Sequence, residues 1–279
     1  MTELERSLNG QVVVITGGAG GIGHATAKAL VRAGAKVALG DLDHAAAEEA
    51  ADALGHGNIG GRLDVTDLES FEAFFERAEA EMGPVDALIN NAGVMILGPL
   101  EEEDEKVTAT TIAVNLAGVI NGTKIAMRRM KPRRRGRIVN IASQAGKAGF
   151  PNGATYCATK FAVVGLCEAV RNELRGTGVG VTCVMPGPVE TELGAGLGKA
   201  RGVDLLKPEQ VAEAIVRAIV LDESEVWLPR FTPYLTKPIS LLPARGRDFA
   251  MRAMNADKVL SDADGGRRAE YEKQAVSKD

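Results

Sequence analysis

Tyr156 and Lys160 stand four positions apart in the run Tyr156-Cys157-Ala158-Thr159-Lys160. Side chains at that spacing share one face of a helix, so a phenol and an ammonium can converge on one point. A free phenol titrates near about pH 10, too high for a base at neutral pH. A nearby ammonium favours the phenolate and makes proton exchange with a substrate hydroxyl feasible. Ser143 can hydrogen-bond a substrate oxygen on which charge builds. Each residue also has an ordinary reading: Tyr156 as amphipathic core, Lys160 as a solvated helix charge, Ser143 as a helix cap.

A second constellation lies near the start of the chain. Thr16-Gly17-Gly18-Ala19-Gly20-Gly21-Ile22-Gly23 follows the β-branched run Gln11–Thr16 and precedes a helical pattern from Gly21 to Ala33, stopped by Gly34. A glycine turn between a strand and a helix exposes backbone N–H groups and lets a pyrophosphate approach closely. The alternative is a turn chosen for tight packing alone. Asp41, about twenty residues further on, can accept hydrogen bonds from the ribose hydroxyls of NAD. It would repel the extra phosphate of NADP, by about 4 kcal/mol for a unit pair at about 4 Å before screening. No Arg or Lys lies in the turn or directly after Asp41. NAD is therefore expected in preference to NADP, with Asp43 the better candidate to cap the next helix.

These residues need elements to position them. Lys36–Leu39, Asn58–Leu63, Ala87–Asn90, Arg137–Ala142, Val179–Met185 and Val226–Leu228 read as further strands. Helical patterns over Ala45–Leu54, Asp67–Met82, Thr108–Met130, Asn152–Arg175 and Pro208–Leu221 fall between them. Strands alternating with helices of this length predict an α/β fold. It is a doubly wound, Rossmann-type parallel sheet of about seven strands with helices on both faces. The chain reads as one domain. Residues 10–190 form the dinucleotide-binding core with the catalytic residues, 191–262 a substrate loop and C-terminal extension, and 263–279 a disordered tail.

With these pieces in order, the sequence resembles the compact, single-domain branch of the short-chain dehydrogenase/reductase family. The resemblance rests on Thr16–Gly23, Asp41, Leu63–Val65, Asn90–Gly93, Asn115, Ser143, Tyr156–Lys160 and Pro186–Thr191. It implies that Tyr156 exchanges the proton, Ser143 holds the substrate oxygen, and Lys160 binds the nicotinamide ribose while tuning Tyr156. Asn115 would distort its helix and hold a water linking Lys160 to solvent. Gly17, Ala19, Gly20, Gly21, Ile22 and Gly23 would cradle the phosphates, with Asp41 and Leu42 at the ribose. Asp64 and Val65 would meet adenine, and Asn91, Ala92 and Gly93 would line the cofactor. Pro186, Gly187, Val189 and Thr191 would embrace the nicotinamide. The reaction implied is hydride transfer between NAD(H) and a secondary alcohol or ketone. An epimerase or dehydratase using bound NAD is one alternative, and a non-catalytic dinucleotide-binding sensor or scaffold another.

The 279 residues include 33 Lys and Arg against 37 Asp and Glu, a net charge of −4 that offers no footprint for nucleic acid. Cys157, Cys167 and Cys183 lack a CxxC spacing, and His24, His44 and His56 lack metal-ligand spacing, so no metal is expected. The polar start of the chain is unlike a signal peptide and no apolar run could span a bilayer, which reads as cytoplasmic. The basic cluster Arg128–Arg137 reads as a solvated helix end and loop. The helices near Thr108–Met130 and Asn152–Arg175 carry surplus apolar surface, which with the resemblance suggests a homodimer or homotetramer. The proline-broken stretch from Trp227 to Leu242 departs from the family pattern. It reads as a pocket cover or subunit interface in preference to a peripheral membrane contact. The small residues after Thr191 and the apolar region beyond them suggest an apolar or lipid-like alcohol.

Overall fold

The computed structural model describes residues 7–198 and 204–277. The expectations about the start of the chain, and about the end of the substrate loop at 199–203, lie outside the described residues. Seven strands form one parallel sheet: β1 (Val12–Thr16), β2 (Lys36–Asp41), β3 (Ile59–Arg62), β4 (Val85–Asn90), β5 (Gly136–Ile141), β6 (Val179–Pro186) and β7 (Glu225–Leu228). Their spatial order is β3-β2-β1-β4-β5-β6-β7. Every residue of β1 is buried, as a strand covered on both faces requires.

Alternate strand residues point to opposite faces, and each face has its own core. Val13, Ile15 and Leu39 pack with α1 (Gly21–Arg32), α2 (His44–Ala53) and α7 (Pro208–Leu221). Val14, Leu88 and Ile138 pack on the other side with α3 (Leu68–Met82), α5 (Val119–Met130) and α6 (Ala154–Glu173). The chain reverses its direction of winding between β1 and β4, the crevice where such sheets place their ligands.

The helix expected over Thr108–Met130 is two helices, α4 (Glu105–Ile112) and α5, joined by a π-helical segment at Ala113–Gly118. Apolar periodicity runs through the join and does not show it; the distortion falls at Asn115, where the family resemblance implies one. The basic cluster is matched by acidic neighbours. Arg129 pairs with Glu72, Glu76 and Glu79 of α3 at 3.0, 3.1 and 2.8 Å, and Arg137 with Asp222 at 3.0 Å.

Beyond β7 run α8 (Thr232–Ser240), α9 (Ala244–Ala253), α10 (Lys258–Ser261) and α11 (Gly265–Ser277). The tail expected to be disordered is therefore helical from 265 to 277. The physical reason is Arg268, only 1% exposed, whose guanidinium is held by loops remote in sequence. Composition alone reads such a segment as solvated. Among the described residues no helix is long and apolar enough to cross a membrane.

Candidate active site

A cavity of about 1300 Å³ opens at the carboxyl ends of the strands, with Gly17, Asp41, Ser143, Tyr156, Lys160 and Thr191 on its wall. At one end lies the glycine turn. Gly17 has φ +64°, which a side chain would strain, and a Cβ there would lie 3.0 Å from the Ala92 Cα. Gly23 permits α1 to pack on the turn, because a Cβ there would come within 2.1 Å of the Gly17 carbonyl oxygen. A Cβ on Gly20, by contrast, would meet no protein atom within 4 Å. The missing side chain at Gly20 relieves no crowding within the chain and leaves the backbone open to a ligand. Gly23→Ala is expected to lower the melting temperature by several degrees, an overpacking cost of about 1–3 kcal/mol. Thermal melts with and without NAD should also show loss of ligand stabilisation. Unchanged melts would mean that the turn is not held by this contact.

The turn is fastened from two sides. Asp41 Oδ2 accepts the Ala19 N–H at 3.2 Å, and its Oδ1 accepts the Asp43 N–H at 3.3 Å. Asn91 Nδ2 donates to the carbonyls of Thr16 and Gly17 at 2.9 and 3.0 Å, while Thr16 Oγ1 accepts the N–H groups of Asn91 and Ala92, both at 3.0 Å. Asn91 was expected to line the cofactor site; it lines the cavity and also ties β4 to the turn. Parallel pairing sets Arg62 of β3 opposite Asp41, and its guanidinium donates to the Leu42 carbonyl at 3.4 Å. This cation beside Asp41 is invisible to a search of nearby sequence.

At the other end Ser143 starts a short turn, its Oγ accepting the Ala145 N–H at 3.1 Å. Tyr156 and Lys160, on successive turns of α6, are 8% and 5% exposed. The Lys160 Nζ sits 5.6 Å from the centre of the Tyr156 ring. Burial pushes the Tyr156 phenol well above its ordinary value, and the facing Ser143 hydroxyl pulls it back down in part. Burial pulls the Lys160 ammonium down to about 8. One of its three N–H bonds goes to the Ile141 carbonyl at 3.0 Å, leaving two for the cavity.

Asn115, fully buried in the π-helical segment, accepts the Val94 N–H through Oδ1 and donates to the Val94 carbonyl through Nδ2, both at 2.8 Å. It thereby fixes the loop that follows β4. Pro186, Gly187, Val189 and Thr191 line the cavity, and a Cβ on Gly21 would lie 3.4 Å from the Thr191 Cγ2. Leu42, Asp64 and Val65 lie off the cavity wall: Asp64 accepts the Thr66 N–H and hydroxyl at 2.9 and 2.7 Å, and Val65 is core. Gln144 is absent from the sequence expectations. It lines the cavity and donates to the Leu228 carbonyl at 2.7 Å and the Thr232 hydroxyl at 3.0 Å. The far wall is mainly apolar, with Met95, Phe150, Leu193, Leu260, Ile239 and Met251, and carries Thr236, Arg247 and Asp248 beside them.

The site combines an open glycine turn, a carboxylate at the end of β2 and a buried phenol–ammonium pair. The family model described as short chain dehydrogenase matches residues 11–202, and the chain belongs to that family of oxidoreductases. It is 40% identical over 196 residues to 2-(S)-hydroxypropyl-CoM dehydrogenase 3 of Xanthobacter autotrophicus, covering 69% of this chain and 76% of that protein. It is also 40% identical over 190 residues to D-threitol dehydrogenase of Mycolicibacterium smegmatis, covering 67% and 73%. Among solved structures, 3-ketoacyl-(acyl-carrier-protein) reductase from Brucella melitensis, complexed with NADH, superposes with a TM-score of 0.73. That likeness carries 28% identity and covers 79% of this chain and 97% of the other. The fold and the family bind a nicotinamide dinucleotide. The relatives' alcohols differ too widely to transmit a substrate.

Proposed function

We propose that this chain transfers a hydride between NAD(H) and a secondary alcohol or ketone of apolar or lipid-like body, with Tyr156 as the acid/base. The observation that carries the reading is the convergence of Ser143, Tyr156 and Lys160 on the wall that also holds the glycine turn. The turn from Gly17 to Ile22 would hold the pyrophosphate, with Gly23 letting α1 approach, and Asp41 and Leu42 would meet the adenosine ribose. Asp64 and Val65 would flank adenine from beyond the cavity wall. Asn91 to Gly93, Pro186, Gly187, Val189 and Thr191 would line the nicotinamide half. When bound, the dinucleotide supplies or accepts the hydride. Ser143 donates a hydrogen bond to the substrate oxygen as charge moves on it. Tyr156 takes the hydroxyl proton in oxidation and returns it in reduction. Lys160 uses its two free N–H bonds on the nicotinamide ribose, and its charge lowers the cost of forming the phenolate. Asn115 keeps the Val94 loop in place beneath this group, and a water between it and Lys160 would carry the proton outward.

The apolar far wall supports a hydrophobic substrate body. Ile120, Met127, Leu166 and Val170 form a shallow groove between α5 and α6 that supports pairing with a second copy. A cytoplasmic enzyme fits this reading. NADH absorbance on mixing the protein with NAD and a panel of secondary alcohols tests it. No absorbance change with any of them would favour a dinucleotide-binding sensor.

NAD is preferred to NADP in this reading because Asp41 presents a carboxylate where the extra phosphate would lie. Asp41→Ala should narrow the affinity gap by about tenfold or more, since 1.4 kcal/mol is a factor of ten. NAD binding itself should weaken, because the Ala19 N–H loses its acceptor. Calorimetric titration of both dinucleotides reads the two effects. A gap left intact would assign the choice to another group, with Arg62 the first to test.

A further inference from the structure

The match to the family model ends at residue 202, yet the residues beyond it hold a fully buried cation. Arg268 Nε donates to Glu272 at 2.8 Å. One terminal nitrogen donates to the carbonyls of Leu193 and Ala195 at 2.9 and 3.0 Å, and the other to the Met95 carbonyl at 2.6 Å. A single guanidinium therefore joins the substrate loop to the loop that follows β4. Its carboxylate partner Glu272 accepts the Leu97 N–H at 3.4 Å, and the Tyr271 hydroxyl accepts the Met95 N–H at 3.0 Å. Backbone bonds continue the seam: Gly198 N–H to the Val259 carbonyl at 2.9 Å and Asp264 N–H to the Gly196 carbonyl at 2.8 Å.

This seam borders the reacting groups. Met95, Leu193, Val259, Leu260 and Tyr271 all line the cavity that holds Tyr156. The Tyr271 phenol is near enough to push the titration of Tyr156 up, and the Arg268 guanidinium near enough to pull it down. A buried guanidinium is tolerated only when its donors are met. Here most of them are met by backbone carbonyls of the two loops between which a substrate must fit. The planar fork sets the spacing of those loops in a way that a flexible ammonium would not.

We propose that α11 forms one wall of the substrate pocket, with Arg268 a positioning residue that ties the substrate loop to the loop after β4 and so sets the affinity for the alcohol. Tyr271 completes the wall. Its oxygen is engaged by Met95, and its own O–H is free to be donated towards a substrate oxygen. The proposal deepens the alcohol-oxidoreductase reading and rests on it. The adenosine end of the cofactor site, at Asp41 and the glycine turn, lies outside the seam, so affinity for ADP-ribose, which lacks the nicotinamide, should be independent of Arg268.

The test compares wild type, Arg268→Met, Arg268→Lys and Tyr271→Phe in the full chain. Amide hydrogen exchange over residues 94–98 and 192–198 is the first readout. ADP-ribose affinity and the KM and kcat for 2-octanol follow on the same preparations. Arg268→Met should speed exchange in both loops by about tenfold or more and raise KM by a similar factor, since both report the same lost tie. ADP-ribose affinity should stay within about twofold and kcat should change less than KM, Arg268→Lys should fall between, and Tyr271→Phe should move KM in the same direction. Should Arg268→Met fail to fold, Arg268→Lys decides on the same readouts. Unchanged exchange in the two loops, or faster exchange with unchanged KM, would overturn the proposal. Silence of the wild type towards every alcohol would count against the function proposed above. The exchange comparison needs no turnover and would still uphold or overturn the tie.

Discussion

Tyr156→Phe should bind NAD as tightly as the wild type and turn over alcohol about 10²–10⁴-fold more slowly, the usual contribution of a positioned acid/base. The substitution removes one oxygen from a ring that packs with Met95, Ala145, Cys157 and Leu260. The ring stays, so the wall keeps its shape. Ser143 and Lys160 also stay, so any residual rate reports what they do without a proton carrier. The phenol is costly to ionise where it lies, because burial raises it. The Ser143 hydroxyl and the Arg268 guanidinium offset this in part, and in the proposed reading the Lys160 ammonium and a bound cationic ring would add to them. Steady-state kinetics together with NAD titration check the result. A variant retaining more than about a tenth of wild-type turnover would rule out Tyr156 as the proton carrier, given the size expected of that role.

Lys160→Met should lose most turnover and yet raise thermal stability at neutral pH. Burial holds the Lys160 ammonium at about 8, below the 10.5 of a free lysine. Below about pH 8 both the folded and the unfolded chain carry the proton, and the penalty for burying it is complete. Between that value and about pH 10.5 only the unfolded chain still holds it, so the penalty fades as pH rises. Methionine is close in length and uncharged. Replacing the buried charge should therefore stabilise the fold by about 1–3 kcal/mol at pH 7, the shift of 1.36 kcal/mol per unit less the lost bond to Ile141. The gain should shrink as pH approaches 10. Melting curves at pH 7 and pH 10 check the sign. A variant less stable at both would show that the ammonium contributes more to the fold through Ile141 than its burial costs. The trade between turnover and stability is what a site built for chemistry leads one to expect.

The parts of the site legible in sequence are those written in local spacing. Tyr156 and Lys160 are neighbours because an α-helix puts positions four apart on one face. The glycine turn is recognisable because a buried strand precedes it and a helix follows it. Asp41 is found by counting along the same unit. The unread parts depend on residues far apart in the chain. Arg62 reaches Asp41 only through strand pairing, and Asn91 reaches Thr16 only because β4 lies beside β1. Gln144 meets Leu228 across the end of the sheet. The tail was the largest misreading, and for one reason: its charged residues resemble a solvated segment until the carbonyls of Met95, Leu193 and Ala195 are seen around Arg268. Asp64 and Val65 carry the family's motif but stand off the cavity wall.

The π-helical segment between α4 and α5 carries information of another kind. A π turn accommodates one residue more than the α turn it replaces. Each residue of an α-helix rotates the next by about 100°, so one extra residue changes the phase of all that follows. The rod that runs from Glu105 to Met130 therefore has two registers. In the first, α4 lies against α6 and α11, on the side of the pocket; in the second, α5 lies on β4 and β5. Asn115 sits at the change of phase, buried and aimed at Val94. The Asn115 side chain, bonded to both backbone groups of Val94, holds the change of phase in place. The helix can face two neighbours because its length is out of step with its own repeat.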